Sequence, residues 1–398
     1  MTGSSVALPL SAVFAFQTAL TMAAYTIPIA VPVAALSMGL AAESVGLVTS
    51  TIYVMAMLSG LITSTLLQRY RASTVYQGLL TVCALGAVVM GLGWPITLFV
   101  GAALIGLSNG PMNPTGSHVL ARISNRKTRA MIFPIKQCGT PAGGVLAGVA
   151  LPFLISELGW SHAIMVMPIV LGLLLAAVAP FSQLGPAPPT EARTSFSLRE
   201  PVQAVTGTLK LSAIRAVAIG GMGLAACQLA MATYLPVYLW REVGYSETAA
   251  GLTFATLHIA GIVSRIVLGG IADRWVSSRV ILIAIAGVMA LTLITIGYFE
   301  KDWPMALILV VIFIAGASGN GWVGLFFAEL ARLSPSDQTA SVAAGSQFLM
   351  YLGIVGGPAF FGALLGASGS YLFAFYVFAG ISLLCGLPLL FTRSPKTD

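Results

Sequence analysis

The chain alternates between long apolar stretches and short polar joints along its whole length. About twelve of the apolar stretches reach roughly twenty residues, the length that an α-helix needs to cross the hydrocarbon of a bilayer. They begin near residues 8, 45, 74, 96, 130, 162, 213, 247, 279, 303, 339 and 370. This pattern predicts an all-α integral membrane protein with twelve transmembrane helices.

The composition excludes a soluble domain. Hydrophobic residues make up 58% of the 398 residues and charged residues 8%, and the mean hydropathy is +0.95. A soluble protein of this size would need a polar surface that such a composition cannot supply. The four cysteines lie in four different apolar stretches without metal-ligand spacing, so we expect them to be packed core residues.

The net charge of +7 is distributed in a way that predicts the orientation of the chain. If the N-terminus is cytoplasmic and the stretches alternate in direction, only Arg241 and Lys301 lie outside. Lys136 and Arg265 lie within apolar stretches, and every other basic residue then faces the cytoplasm. This bias predicts a multi-pass protein of the inner (plasma) membrane with both termini cytoplasmic. We expect the positive charge to contact membrane lipids and not nucleic acid.

A polar segment rich in proline and serine divides the chain into two parts with six apolar stretches each. The predicted organisation is an N-terminal six-helix bundle at 1–181, a cytoplasmic linker at 182–212 and a C-terminal six-helix bundle at 213–398. A short surface helix is expected within the linker, near residues 199–209.

The two parts carry a weak internal repeat. A shift of 210 residues aligns Leu104–Gln137 with Ile314–Gln347 without a gap and places the joint LARIS on LARLS. The same shift places a glycine of the fourth stretch on a glycine of the tenth, and a serine on a serine. These matches indicate a duplicated six-helix unit.

The joint between the eighth and ninth stretches reads GGIADRWVSSRV, from Gly269 to Val280. It resembles the cytoplasmic loop signature of the major facilitator superfamily. The resemblance, which extends over the whole chain, implies two pseudo-symmetric bundles with the substrate near the middle of the membrane between them. The corresponding joint of the first half, LLQRYRAS, departs from the signature because Gln68 occupies the place of Asp273.

In similar members of the superfamily, the loop aspartate caps or pairs with neighbouring helix ends and arginines and so holds the cytoplasmic side closed. A glutamate at the cytoplasmic end of the tenth helix pairs with the loop arginines. The resemblance therefore implies a gate formed by Asp273, Arg274, Arg279, Glu329 and Arg332. Such charge pairs can shift the balance between two conformations. Proton carriage is the alternative role for Glu329.

Two cations lie inside apolar stretches, where a charge is costly. Lys136 belongs to the fifth stretch and Arg265 to the eighth, and no acidic residue lies deep in any stretch. Arginine suits bidentate binding of a carboxylate, and lysine supplies a compact, movable charge. The two cations predict a cavity for an anion, which both could reach. The alternative is that each snorkels to the membrane surface or pairs structurally.

Several polar residues within the stretches are further candidates for substrate binding. They are Gln137, Asn109, Asn113, Gln228, Asn320, Trp322, Gln347 and Tyr25. The two asparagines of the fourth stretch are one helical turn apart and so share a face. Amides and hydroxyls in a bilayer also bond across helix interfaces, which is the alternative explanation for them.

These features favour secondary active transport by alternating access over other functions. The chain has no GxxxxGK[ST] motif for nucleotide phosphates and no triad or metal-ligand cluster of an enzyme, and no bound cofactor is implied. A channel fits a 6+6 repeat less well, because duplicated bundles suit rocking around one site. A sensor with the same fold is a further alternative. The short joints are compatible with a functional monomer.

Arg265 followed by Gly269 resembles the R-x-x-x-G of the eighth helix in monocarboxylate and oxalate-type carriers. Monocarboxylate carriers have an aspartate one turn before that arginine, where this chain has Gly261, so the resemblance leaves the coupling residue unassigned. The predicted function is transport of a small organic anion, a mono- or dicarboxylate, by proton symport or anion exchange. The competing hypothesis is proton-coupled efflux of a drug or amphiphilic metabolite.

Overall fold

A computed structural model describes residues 4–123, 126–178, 199–335 and 338–391. Apart from one 3₁₀ turn at Ala42–Ser44, the regular structure in these ranges consists of fifteen α-helices. The helices are α1 (Ser4–Ser37), α2 (Val45–Leu61), α3 (Thr63–Arg69), α4 (Ala72–Gly91), α5 (Pro95–Ile123), α6 (Arg126–Gln137), α7 (Gly139–Leu158), α8 (Trp160–Val178), α9 (Arg199–Lys210), α10 (Ser212–Arg241), α11 (Glu247–Arg274), α12 (Ser278–Ile296), α13 (Met305–Leu333), α14 (Thr339–Ser368) and α15 (Tyr371–Phe391).

Within the described ranges, twelve spans are long and apolar enough to cross a membrane. Ten are single helices, α2 is joined by its preceding 3₁₀ turn, and the span Ile132–Leu158 combines the second half of α6 with α7 across a break at Cys138. Helices suit this environment because they satisfy their backbone groups internally where no water is available. The prediction of an all-α, twelve-span integral membrane protein is confirmed.

The chain divides into two compact units, Met1–Phe196 and Ser197–Asp398. Residues 179–198 lie outside the described residues. They include the first part of the predicted linker, residues 182–198. The helix expected near 199–209 is α9, and it belongs to the second unit. It packs against α14, with Thr208 Oγ1 donating to the carbonyl of Val342 at 3.4 Å. The linker helix is therefore partly buried and not a surface helix alone.

Equivalent helices pack in the same pairs in both units. In the first unit α1 packs on α7, α2 on α5 and α4 on α5; in the second unit α10 packs on α14, α11 on α13 and α12 on α13. The glycines paired by the 210-residue shift occupy the same kind of contact. A Cβ on Gly106 would lie 2.2 Å from the carbonyl oxygen of Ile52, and one on Gly316 would lie 2.2 Å from that of Leu257. The repeat seen in the sequence thus has a structural counterpart.

We expect Gly316→Ala to destabilise the second unit, because the new methyl group would overlap the backbone of α11. Overpacking of this kind costs about 1–3 kcal/mol. Gly324→Ala on the same helix is the matched control, since nothing lies within 4 Å of its Cβ position. The melting temperature of the purified protein in detergent should fall for the first variant and stay level or rise for the second. Equal melting temperatures would show that the helices are not in close contact at Gly316.

Candidate functional site

A hydrogen-bonded network joins α10 and α13 in the second unit. Gln228 on α10 donates from Nε2 to Asn320 Oδ1 at 3.1 Å, and its Oε1 accepts from Trp322 Nε1 at 2.9 Å. Asn320 is almost fully buried and Trp322 completely so, whereas Gln228 is half-buried. Gln228 is therefore held in one orientation by two buried partners.

Arg265 contacts the same network from a third helix, α11. Its Nε donates to the backbone carbonyl of Asn320 at 3.1 Å, and its side chain is half-buried. Arg265 and Gln228 are thus the members of this cluster that stay partly accessible. The cluster presents a planar cation beside an oriented amide.

Small residues allow α11 to come close enough for this contact. A Cβ on Gly261 would lie 2.7 Å from Cβ of Asn320, and one on Gly321 would lie 2.8 Å from Ser264 Oγ. Close approach through small residues is typical of helix packing in membranes. The sequence departs from monocarboxylate carriers at Gly261, and in this structure the glycine makes room for Asn320.

The three helices around Arg265 carry their acidic residues only near their ends. Helix α10 has none, α11 has Glu247 and Asp273 in its first and last turns, and α13 has Glu329 in its last two turns. The central part of these helices therefore has Arg265 as its charged side chain. A charge at such a position marks a functional site more often than a structural one.

Lys136 on α6 is completely buried in the first unit. Its Nζ donates to the backbone carbonyl of Asn113 at 2.9 Å, to the side-chain Oδ1 of the same residue, and to Ser117 Oγ at 2.7 Å. All three acceptors belong to one turn of α5. The ammonium thus has an oxygen for each of its three hydrogens, and it is far less accessible than Arg265.

The residue after Lys136 bonds to α1. Gln17 donates from Nε2 to Gln137 Oε1 at 3.4 Å and to Thr140 Oγ1 at 2.7 Å. Phe16, beside it, stacks on Tyr76 of α4 with ring centroids 4.4 Å apart. The Gln17 bonds hold the break between α6 and α7 against α1, and the aromatic stack joins α1 to α4.

The other candidates are dispersed. Asn109 donates to the carbonyls of Leu20 and Ile105, so it links α5 to α1 and does not contact Lys136. Tyr25 is buried on α1, and Gln347 is half-buried on α14. The structure therefore brings together Arg265, Gln228, Asn320 and Trp322 in one unit, and Lys136 with Asn113 in the other.

The five residues of the expected gate occupy three separate environments. Glu329 is buried and accepts from Arg332 through both oxygens, at 2.9 and 2.6 Å. Arg279 instead donates to the carbonyls of Leu389 and Leu390, the last turn of α15. Asp273 and Arg274 are exposed at the end of α11. Only the Glu329–Arg332 pair is formed among the described residues.

A cavity of about 680 Å³ lies between α2, α3 and α5 in the first unit. Its polar lining comes from Thr63, Ser64, Gln68, Ser117 and His118. Ser117 also accepts the hydrogen bond from Lys136, so one hydroxyl separates the buried ammonium from this cavity. The cavity and the ammonium are adjacent.

The position equivalent to Arg265 in the first unit is a glycine that lines this cavity. The carbonyls of Ile52 on α2 and Leu257 on α11 contact the paired glycines, so these two residues are equivalent. Aligning the two helices on them places Gly60 at the position of Arg265. The two units have therefore diverged at this position: the second unit has a guanidinium there, and the first has a glycine beside a cavity.

The sequence did not single out Ser117 or Thr140, and it gave Gln17 no role. Ser117 lies one turn after Asn113, on the face already marked by the two asparagines, and that spacing was the available signal. Single hydroxyls are common in apolar helices, so this signal is weak. Within the described residues, no group of three His, Cys, Asp or Glu could hold a metal ion.

Comparison with known proteins places the chain in a family. Residues 12–358 match the sequence profile of the Major Facilitator Superfamily. The chain belongs to this superfamily. Its members are transporters and not enzymes, so the protein is a multi-pass membrane transporter.

Two relatives within the superfamily are named after their substrates. The gallate transporter of Pseudomonas putida is 28% identical over 326 residues, which are 75% of this chain and 68% of the relative. The hexuronate transporter of Bacillus subtilis is 23% identical over 329 residues, 77% of this chain and 74% of the relative.

The fold is that of solved superfamily-type transporters. A POT family transporter crystallised with 5-aminolevulinic acid superimposes with a TM-score of 0.79, covering 98% of this chain and 96% of the other at 14% identity. The similarity supports the twelve-helix fold predicted from the sequence.

We expect Asn113→Leu to destabilise the protein more than Lys136→Met. The first change removes an acceptor from a fully buried cation, which costs about 1.5–3 kcal/mol, whereas the second leaves half-buried neutral oxygens that water can reach. Melting temperatures in detergent measure the stability of both variants. The double variant Asn113→Leu/Lys136→Met should recover part of the stability lost in Asn113→Leu. A larger loss for Lys136→Met would mean that the ammonium contributes net stability.

Proposed function

We propose that this transporter carries a small organic anion that bears both a carboxylate and hydroxyl groups. The observation that carries the proposal is the half-buried guanidinium of Arg265, placed within a membrane span in the same cluster as the Gln228 amide. A guanidinium offers a planar pair of donors that matches a carboxylate. Arg265 is thus the proposed carboxylate ligand.

Gln228 is the proposed second ligand. Its amide can bond to a hydroxyl of the substrate, because it is held by Asn320 and Trp322 but stays partly accessible. We assign Asn320 and Trp322 a positioning role, since both are buried behind Gln228. A preorganised amide loses little conformational entropy when substrate binds.

The names of the relatives support this substrate class. Gallate and hexuronates, the substrates for which the two relatives are named, are both carboxylates with several hydroxyl groups. They differ in their carbon skeleton, one being aromatic and the other a sugar acid. The shared chemistry is what a guanidinium next to an amide recognises.

Transport is proposed to proceed by alternating access, coupled to a proton or to a counter-anion. The pair of buried Glu329 with exposed Arg332, together with the exposed Asp273 and Arg274, supplies the charges that could exchange partners between conformations. The bias of basic residues supports an orientation with both termini cytoplasmic, in the inner membrane. We expect one chain to suffice for transport.

The proposal predicts that Arg265→Ala weakens binding of gallate and glucuronate by roughly 10- to 100-fold, the loss of a charged hydrogen-bonded pair. Ligands that bind the native state raise its melting temperature, so a thermal-shift titration in detergent measures the change. Arg265→Lys should recover little, because lysine lacks the planar fork. Arg241→Ala, an exposed arginine at the end of α10, is the control for loss of charge.

Flux of labelled gallate and glucuronate into proteoliposomes should be lower for Arg265→Ala than for wild type, in parallel with the weaker binding. Undiminished flux in Arg265→Ala would contradict the assignment of Arg265. Stabilisation by cationic or neutral amphiphiles alone, equal in wild type and Arg265→Ala, would instead favour efflux of a drug or amphiphilic metabolite.

A further inference from the structure

We infer that Lys136 and Ser117 form a proton-exchange site in the first unit, which couples anion transport to proton movement. This inference rests on the proposed function and selects proton symport over anion exchange. Three features carry it: the bonds of the ammonium, the chemistry of the serine hydroxyl, and the cavity on the far side of that hydroxyl.

The ammonium of Lys136 is surrounded by neutral oxygens. Its three acceptors are a carbonyl, an amide oxygen and a hydroxyl, and among the described residues no carboxylate pairs with it. A fully buried cation with neutral partners is less stable than one with a counter-charge. The site therefore supplies hydrogen bonds to the ammonium but no counter-charge.

Ser117 can serve both forms through the same atom. The two oxygens of Asn113 only accept hydrogen bonds, whereas a hydroxyl both donates and accepts. When Lys136 is charged, Ser117 Oγ accepts from it; when Lys136 is a neutral amine, Ser117 can donate to its lone pair. The site is thus satisfied in either protonation state without a change of partner.

The cavity gives the hydroxyl a route to water. Ser117 lines it together with four other polar residues, Thr63, Ser64, Gln68 and His118, and with apolar residues, and an open cavity of about 680 Å³ is large enough for several water molecules. Lys136 itself is fully buried and is not part of the lining. Protons can therefore reach Lys136 from the cavity through Ser117.

Among the described side chains, few other ionisable groups lie near this site. Tyr76 on α4 is the nearest phenol, because its hydroxyl and Lys136 Cε both border the Cβ position of Gly116. Helix α1 contributes only Tyr25 as an ionisable residue, and the Glu157 of α7 lies at its opposite end. The remaining described groups on α5 and at the helix break are His118 and Cys138.

The proton transfer needs one serine and one water. The Nζ–H bond breaks as Ser117 Oγ takes that proton, and the original hydroxyl proton passes to a water molecule in the cavity. The products are a neutral amine, which now accepts a hydrogen bond from the serine, and a hydronium ion. The reverse path charges Lys136.

Binding of an anion is coupled to this step through charge. A bound carboxylate favours the charged form of a lysine within range of its field, and the proposed coupling is that substrate binding draws a proton onto Lys136 in this way. Release of the anion returns the proton to the cavity. The carrier would thus move proton and anion together.

The first test needs no substrate. In protein labelled with ¹⁵N-lysine, Lys136→Gln identifies the Lys136 signal, and the exchange of its Nζ hydrogens with water is measured by NMR. Ser117→Ala should slow this exchange at least roughly tenfold, and Ser117→Thr should restore it. Ser108→Ala is the control, because this serine is also buried on α5 but donates to Ile105. Unchanged exchange in Ser117→Ala would overturn the inference.

The second test compares two modes of transport in proteoliposomes, with labelled gallate and glucuronate as probes. Uptake driven by an imposed proton gradient requires proton movement, whereas exchange of labelled for unlabelled anion does not. We expect the ratio of driven uptake to exchange to fall at least about tenfold in Ser117→Ala and Lys136→Gln, a typical loss for a proton-transfer group. Ser108→Ala should match wild type.

The outcomes separate the two proposals. Exchange by wild type without any response to the proton gradient would overturn the coupling role and leave the proposed substrate class intact. Absence of both modes for both anions would refute the substrate class, and the NMR result would then decide the proton-exchange site by itself.

Discussion

The free-energy cost of a charge within a membrane span governs how both units are built. Lys136 and Arg265 each meet it by donating to a backbone carbonyl of a neighbouring helix, that of Asn113 in one unit and that of Asn320 in the other. Such bonds require the helix backbones to lie close together. In the second unit, the small residues between α11 and α13 provide this contact, and in both units paired glycines let equivalent helices touch.

Much of the fold follows from the sequence, because a run of apolar residues long enough to span a bilayer has few alternatives to a helix. Lys136 and Arg265 could also be predicted as site candidates, since charged residues are rare within such a run. Ser117 was not, because a single hydroxyl resembles the many serines that bond only to their own helix. Arg279 meets Leu389 across 110 residues, and no local pattern reveals such a distant contact. The partial burial of α9 depends in the same way on where α14 lies.

The two units share their packing but not their chemistry. Where α11 carries Arg265, α2 carries Gly60 at the border of a cavity, and the ammonium of the first unit lies on a different helix, α6. Glycine contacts and serine bonds repeat because helix packing tolerates little change there. Charged positions could diverge, since each needs only a carbonyl and a partner nearby. A duplicated scaffold can thus hold a fixed cation in one unit and an exchangeable one in the other.

The neutral surroundings of Lys136 bear on the energy source available to the carrier. A monocarboxylate that travels alone must enter against an inside-negative membrane potential, which opposes it by about 2.3 kcal/mol per 100 mV. If the lysine takes up one proton with each anion, the pair crosses without net charge, and the voltage neither helps nor hinders it. Accumulation would then follow the pH difference across the membrane, so that a cell with a collapsed voltage but an acidic exterior could still concentrate the anion.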